Sequence, residues 1–304
     1  MNHKLSELIS AIRAVPLTDA LTDDAVTALS HCYISMQNMA AADGLESECG
    51  NSREFEQALD TLYGICRKRC AAGEPPERRC RMVSVLHMIA GMRMGVTTDM
   101  RRWNECCDLM WQAVDEVMKR QQHEADSASV YGALRCICDL FGYVAEEERN
   151  ADPDFRWYRR HIEEWAAALN DDGTWDGLSV DEALCRLDIM CRNSNMLADS
   201  SHDAAIGKAC GVCCRTALEH LRRTEGDAPG DCGRRLFMLG EVVTHGLGEV
   251  GCDATDDIAE YASRQAARHP RGSDEWLFCS ATLLDRLCMQ LAEQLRNRHL
   301  AHSA

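Results

Sequence analysis

Trp165-Ala-Ala-Ala-Leu-Asn170-Asp-Asp-Gly173-Thr-Trp175-Asp-Gly-Leu-Ser179-Val-Asp-Glu-Ala-Leu-Cys-Arg-Leu-Asp188-Ile-Met190 is the stretch that decides the fold class. A helical run from Trp165 stops at Asn170-Asp171-Asp172-Gly173. Aspartate and asparagine side chains bond readily to nearby backbone, and glycine accepts a positive φ, so this is a tight turn. Trp175 offers a large apolar face to seal two helix ends. Ser179 then stands three residues before Glu182, the spacing of a capping box, in which a hydroxyl and a carboxylate satisfy each other's free amides. Ala183, Leu184, Leu187, Met190 and Cys191 follow as one apolar helical stripe. Helix, turn and helix are therefore expected in 26 residues, and the pattern suggests repeated helical hairpins.

Working outward, the same punctuation recurs. Thr22, Asn51, Thr98, Ser127, Ser179, Thr255 and Ser273 read as helix starts, each beside acidic residues. Gly44, Gly73 with Pro75-Pro76, Gly95, Pro153, Gly226 with Pro229, Gly246 to Gly251 and Pro270 read as stops. No run of β-branched residues with period two interrupts them, while Ala, Leu, Met, Glu and Arg abound. The bounds predict helices over 4–14, 23–42, 52–71, 78–94, 99–122, 128–148, 154–169, 180–198, 203–224, 231–246, 256–268 and 274–298. After the first, they restart as hairpins near residues 22, 77, 127, 179, 230 and 273. That spacing of about 45 to 50 residues lies in the range of helical arrays.

The chain has 304 residues, of which 46% are hydrophobic and only 6% aromatic, so its core is mostly aliphatic, Met and Cys. With 49 acidic and 33 basic side chains the formal charge is -16, which repels phosphate backbones and anionic lipid. The short basic runs Arg67-Lys68-Arg69, Arg78-Arg79, Arg159-Arg160 and Arg222-Arg223 read as solvated helix ends, where cations favour the dipole. No nucleic-acid and no membrane partner is expected. Glu7 and Arg13 break the N-terminal apolar run, and no window reaches about 18 uncharged apolar residues. The reading is therefore cytoplasmic, with the 18 cysteines as reduced, buried small hydrophobes rather than a disulfide framework.

Asn170-Asp171-Asp172-Gly173-Thr174-Trp175 between two helices resembles the Asp-Gly-Ser-Trp-type turn of α/α-toroid proteins. These include the squalene-cyclase and prenyltransferase-β repeats and the six-hairpin glycosidases. Trp175, Gly173 and the preceding Trp165 match the pattern, and Asn170 stands where the repeat often has Gln. The resemblance implies a single all-α domain over 1–304, built as an α/α toroid. An open α/α superhelix is the alternative. It also implies an acidic central cleft that binds or hydrolyses a small carbohydrate-like ligand. The second functional reading is a non-catalytic scaffold for protein–protein interaction. The partner is then either a small-molecule ligand or a protein.

The candidates for chemistry follow from these readings. Asp139 and Asp188 sit in otherwise apolar helical stretches, where a carboxylate must be paired or line a cavity. With Asp172 of the turn they are the catalytic candidates. Asp171, Trp175, Asp176 and Asp181 are the ligand-binding candidates at the mouth of the cleft. Cys210-Gly-Val-Cys213-Cys214 has a CxxC pair, but His220 lies about 15 Å further along a continuous helix and cannot share its ion. Cys106-Cys107 and Cys136-Ile-Cys138 each point to different faces. No metal and no cofactor is expected. Asp256-Asp257-Ile-Ala-Glu260 resembles the acidic magnesium motif of isoprenoid synthases, and equally fits acids in the first turn after a Thr255 cap. His87 and His245 read as core or cap histidines. No nucleophile elbow, Walker loop, dinucleotide fingerprint or His-Glu-x-x-His occurs.

Overall fold

In a computed structural model the described residues are 2–41, 52–71, 73–97, 100–121, 127–142, 144, 146–192, 200–223, 232–245 and 252–303. They form thirteen helices and no strand. These are α1 (Asn2–Arg13), α2 (Asp23–Ala41), α3 (Ser52–Arg69), α4 (Pro76–Thr97), α5 (Met100–Gln121), α6 (Ser127–Phe141) and α7 (Glu146–Ala151). They continue with α8 (Pro153–Ala167), α9 (Val180–Arg192), α10 (Ser200–Arg223), α11 (Cys232–His245), α12 (Cys252–Ala266) and α13 (Asp274–Ser303). None of these is long and apolar enough to cross a membrane.

The helix starts show which sequence signals the backbone obeys. The Thr22 hydroxyl accepts from the Ala25 amide at 2.9 Å, and the Ser273 hydroxyl from the Trp276 amide at 3.4 Å. Pro153, read as a stop, instead opens α8. Asp152 caps that helix by accepting from the amides of Asp154 and Phe155, and proline suits the first helical position because it has no amide to satisfy. Pro76 opens α4 in the same way. Gly95 lies inside α4 rather than ending it. Thr255 lies inside α12, which starts at Cys252, so it is not a cap. The helix expected over 128–148 breaks after Phe141 into α6 and the short α7. Asn51, Thr98, Gly44, Gly226 and Gly246 to Gly251 lie outside the described residues.

The chain divides into two compact units, where the sequence reading treats 1–304 as one domain. The first comprises residues 1–65, 229–237 and 255–304. In it α2 packs along α13, and α1 touches both. Val26, Leu29, Leu277 and Leu284 are buried in that unit, and Phe237 packs edge-on against His31 and at a tilt against Phe278. The second unit comprises residues 66–228 and 238–254. Its hub is α6, which packs against α4, α5, α8 and α9, while α10 packs against α8 and α9. The sequence of α6 explains this position. Ala133, Leu134, Cys136, Ile137, Cys138, Leu140 and Phe141 are all buried, so most of the helix surface is apolar and is covered by neighbouring helices, with the charged Arg135 and Asp139 only half-buried.

Candidate functional site

The turn between α8 and α9 forms as its residues dictate. Gly173 has φ 84°, and its amide donates to the Asn170 carbonyl at 2.9 Å. The Asn170 amide in turn donates to the Thr174 carbonyl at 2.9 Å. Asp172 folds back on the loop, its Oδ1 accepting from the Thr174 amide at 3.0 Å and hydroxyl at 2.6 Å. These two bonds hold the Asp172 carboxyl below the usual aspartate pKa. Asp176 accepts from the Asn170 side-chain amide at 3.0 Å. Ser179 and Glu182 form the expected capping box. Glu182 accepts from the Ser179 amide at 3.0 Å, and the Ser179 hydroxyl accepts from the Glu182 amide at 3.3 Å.

Trp175 closes this turn from inside. Only 8% of it is exposed, and its Nε1 donates to the Trp165 carbonyl at 2.8 Å, satisfying a helix-end acceptor. The Arg186 guanidinium lies 5.1 Å over the Trp165 ring and 5.8 Å from that of Trp175. Its Nε donates to the Tyr131 hydroxyl at 3.4 Å, which ties the turn to α6. Asp171, Asp172 and Asp176 are exposed and Asp181 is half-buried. Trp175 faces the packed interior beneath them. The ligand-binding candidates of the turn thus include a ring spent on helix packing, and Asp172 and Asp176 spend carboxylate oxygens on the loop itself.

Asp188 belongs to a different constellation, inside the second unit. It is 7% exposed and accepts from Arg192 Nε at 3.0 Å, one turn along α9. Arg135 of α6 stands 3.6 Å from its other oxygen. Arg192 also donates to Glu241 of α11 at 2.8 Å, with each of those side chains 13% exposed. Burial alone would lower the Arg192 pKa, but Asp188, Glu241 and Asp139 together raise it above its ordinary value. Asp139 is half-buried on α6, and its field also reaches His87. The chemistry of this arrangement is charge neutralisation. Both oxygens of the Asp188 carboxylate face a guanidinium, Arg192 on one side and Arg135 on the other.

The remaining candidates separate from both places. His87 is buried against the Trp103 ring at 4.2 Å, and burial pushes its pKa down, so it is a neutral core histidine. The side chain of His245 lies outside the described residues, as does that of Cys210. Cys213 and Cys214 are buried. Asp256 pairs with Arg286 of α13 at 2.5 Å. Arg79, read as a solvated cation, is 4% exposed and pairs with Glu116 of α5. Arg159 and Arg160 lie mid-helix and pair one turn on with Glu163 and Glu164. A cavity of about 440 Å³ in the first unit is lined by Ala11, Val15, Pro16, Thr18, Leu21 and Arg271 among others, with no carboxylate in its wall.

Sequence reasoning missed Arg192, Arg135, Glu241 and Arg186. The pair Asp188 and Arg192 was visible as an i, i+4 spacing; Glu241 was not, being 49 residues from Arg192. Comparison with protein-family models, with curated proteins and with solved structures finds no match to this chain.

Proposed function

We propose that this protein is a non-catalytic helical scaffold for protein interaction. The observation that carries this reading is the engagement of its acids. Asp188 is enclosed by Arg192 and Arg135, and Asp172 and Asp176 hold the turn shut. Catalytic carboxylates need the opposite, since a glycosidase sets two of them across a substrate space with their pKa values pushed apart. The described cavity carries an arginine and no acid, which speaks against an acidic carbohydrate cleft there. The formal charge of -16 favours a basic partner surface, because complementary potentials steer association and fix register. The α/α-toroid reading remains a proposal beside it. It is supported by the Gly173–Trp175 turn and by α2 and α13 packing together from opposite ends of the chain.

The test is turnover measured beside stability. A panel of 4-nitrophenyl glycosides should give no hydrolysis above the buffer rate with the parent protein or with Asp172→Asn. Hydrolysis by the parent that disappears in Asp172→Asn, with both proteins melting at the same temperature, would overturn the scaffold reading in favour of the glycosidase-like one.

A further inference from the structure

Two thiols meet where α4 and α6 touch. Cys80 and Cys136 are both fully buried in the second unit. Gly132 lies one turn before Cys136 on the same face of α6. A Cβ built on Gly132 would fall 2.8 Å from the Cys80 Cβ and 3.7 Å from its sulfur, so α6 presses on Cys80 at a point with no room for a methyl group. Helical side chains lean toward the preceding turn, which carries the Cys136 sulfur to the level of Gly132 and hence to Cys80. Its Sγ donates to the Cys80 carbonyl at 3.6 Å and lies 3.6 Å from the Ser84 hydroxyl. Both cysteines are free thiols in this structure.

We propose that Cys80 and Cys136 are an oxidisable pair, converted by hydrogen peroxide into a disulfide that joins α4 to α6. One cysteine, as thiolate, attacks the peroxide oxygen and becomes a sulfenic acid while the O–O bond breaks and water leaves. The second thiolate attacks that sulfur, the S–S bond forms, and the hydroxyl leaves as a second water. The sulfur pair loses two electrons and two protons in all, and the peroxide takes up both. The neighbouring Cys80 and burial raise the Cys136 pKa well above the usual thiol value, so the Cys136 thiolate is scarce while the helices are packed. Oxidation is therefore gated by local opening of α4 from α6. The product then closes a loop between residues 56 apart, which restrains further unfolding.

The experiment is peptide mapping of the full chain after limited exposure to hydrogen peroxide, with free thiols alkylated before digestion. The first cross-linked peptide pair should be Cys80 with Cys136, accompanied by loss of two hydrogens per chain. Sub-denaturing urea should speed its appearance several-fold. Cys136→Ser should leave Cys80 without a cross-link, while Cys138→Ser should leave the Cys80–Cys136 bond intact. A first disulfide between Cys138 and Cys191 or between Cys232 and Cys279 would overturn the proposal, as would sulfinic acid at half-buried Cys107 or Cys185 with no cross-link at all. The mapping uses the parent protein, so a misfolded variant does not compromise it.

Discussion

The Trp175 indole makes three contacts at once: apolar burial, a hydrogen bond to the end of α8, and a cation from α9. Removing the ring deletes all three, so Trp175→Ala should cost about 3 to 5 kcal/mol in urea unfolding. Parent-like stability in that variant would mean the ring seals nothing. His87 gives a second residue-scale expectation. Its pKa is lowered in the folded protein, chiefly by burial, with Asp139 partly opposing. The unfolded chain takes up a proton near the ordinary value of 6.5 that the folded chain refuses. Stability is therefore whole above that pH and falls as pH drops below it. Unfolding free energies between pH 7 and pH 5.5 should decline less steeply for His87→Phe than for the parent; equal slopes would remove His87 from the acid response. At this scale the turn was legible because Asp, Gly, Ser and Glu act on their immediate neighbours. The fate of Asp188 was not, because the charges that enclose it come from α6 and α11 as well as from its own helix.

Helices whose first turn is closed by a hydroxyl were placed correctly from sequence, as at Thr22, Ser179 and Ser273, since a cap and its amides lie within three residues. Errors came where two signals compete. Proline excludes a residue from a helix interior but suits a helix start, and the accepting side chain of Asp152 decides for the start at Pro153. The close approach of α4 and α6 has no local signal at all. Gly132 reads as an ordinary helical glycine until Cys80 is seen against it. Gly132→Ala tests that contact. Glycine to alanine in a helix interior normally stabilises by about 0.5 to 1 kcal/mol, whereas forcing a methyl into a packed interface costs about 1 to 3 kcal/mol. A net loss of stability is expected in urea unfolding, and a gain would show that the two helices have room to spare.

Across the whole molecule, the interior is built from thiols, aliphatic side chains and neutralised charge. Of the 15 cysteines whose side chains are described, eleven are buried and four are partly exposed, and all are free thiols. Burial pushes the Cys70 thiol up to about 12. Native protein should therefore react with a thiol reagent at only a minority of its 18 cysteines, with the rest reacting in denaturant. Reaction of most of them at native speed would contradict the burial described. All-α class and the run of helices were legible because they follow from periodicity and caps. The partners of each helix were not, because α2 with α13 and α6 with four others depend on contacts far apart in the chain. The central proposal is that Asp188, which looks catalytic in the sequence, serves the fold through its two arginines. Removing a catalytic group tends to leave stability unchanged or raise it, whereas breaking one side of a buried ion network costs about 3 to 5 kcal/mol. The deciding measurement is the urea-unfolding free energy of Asp188→Asn. A loss of about 3 kcal/mol is expected, since Arg192 keeps Glu241 at 2.8 Å but loses Asp188 at 3.0 Å, the counter-charge on its own helix; an unfolding free energy equal to or above the parent's would contradict the claim.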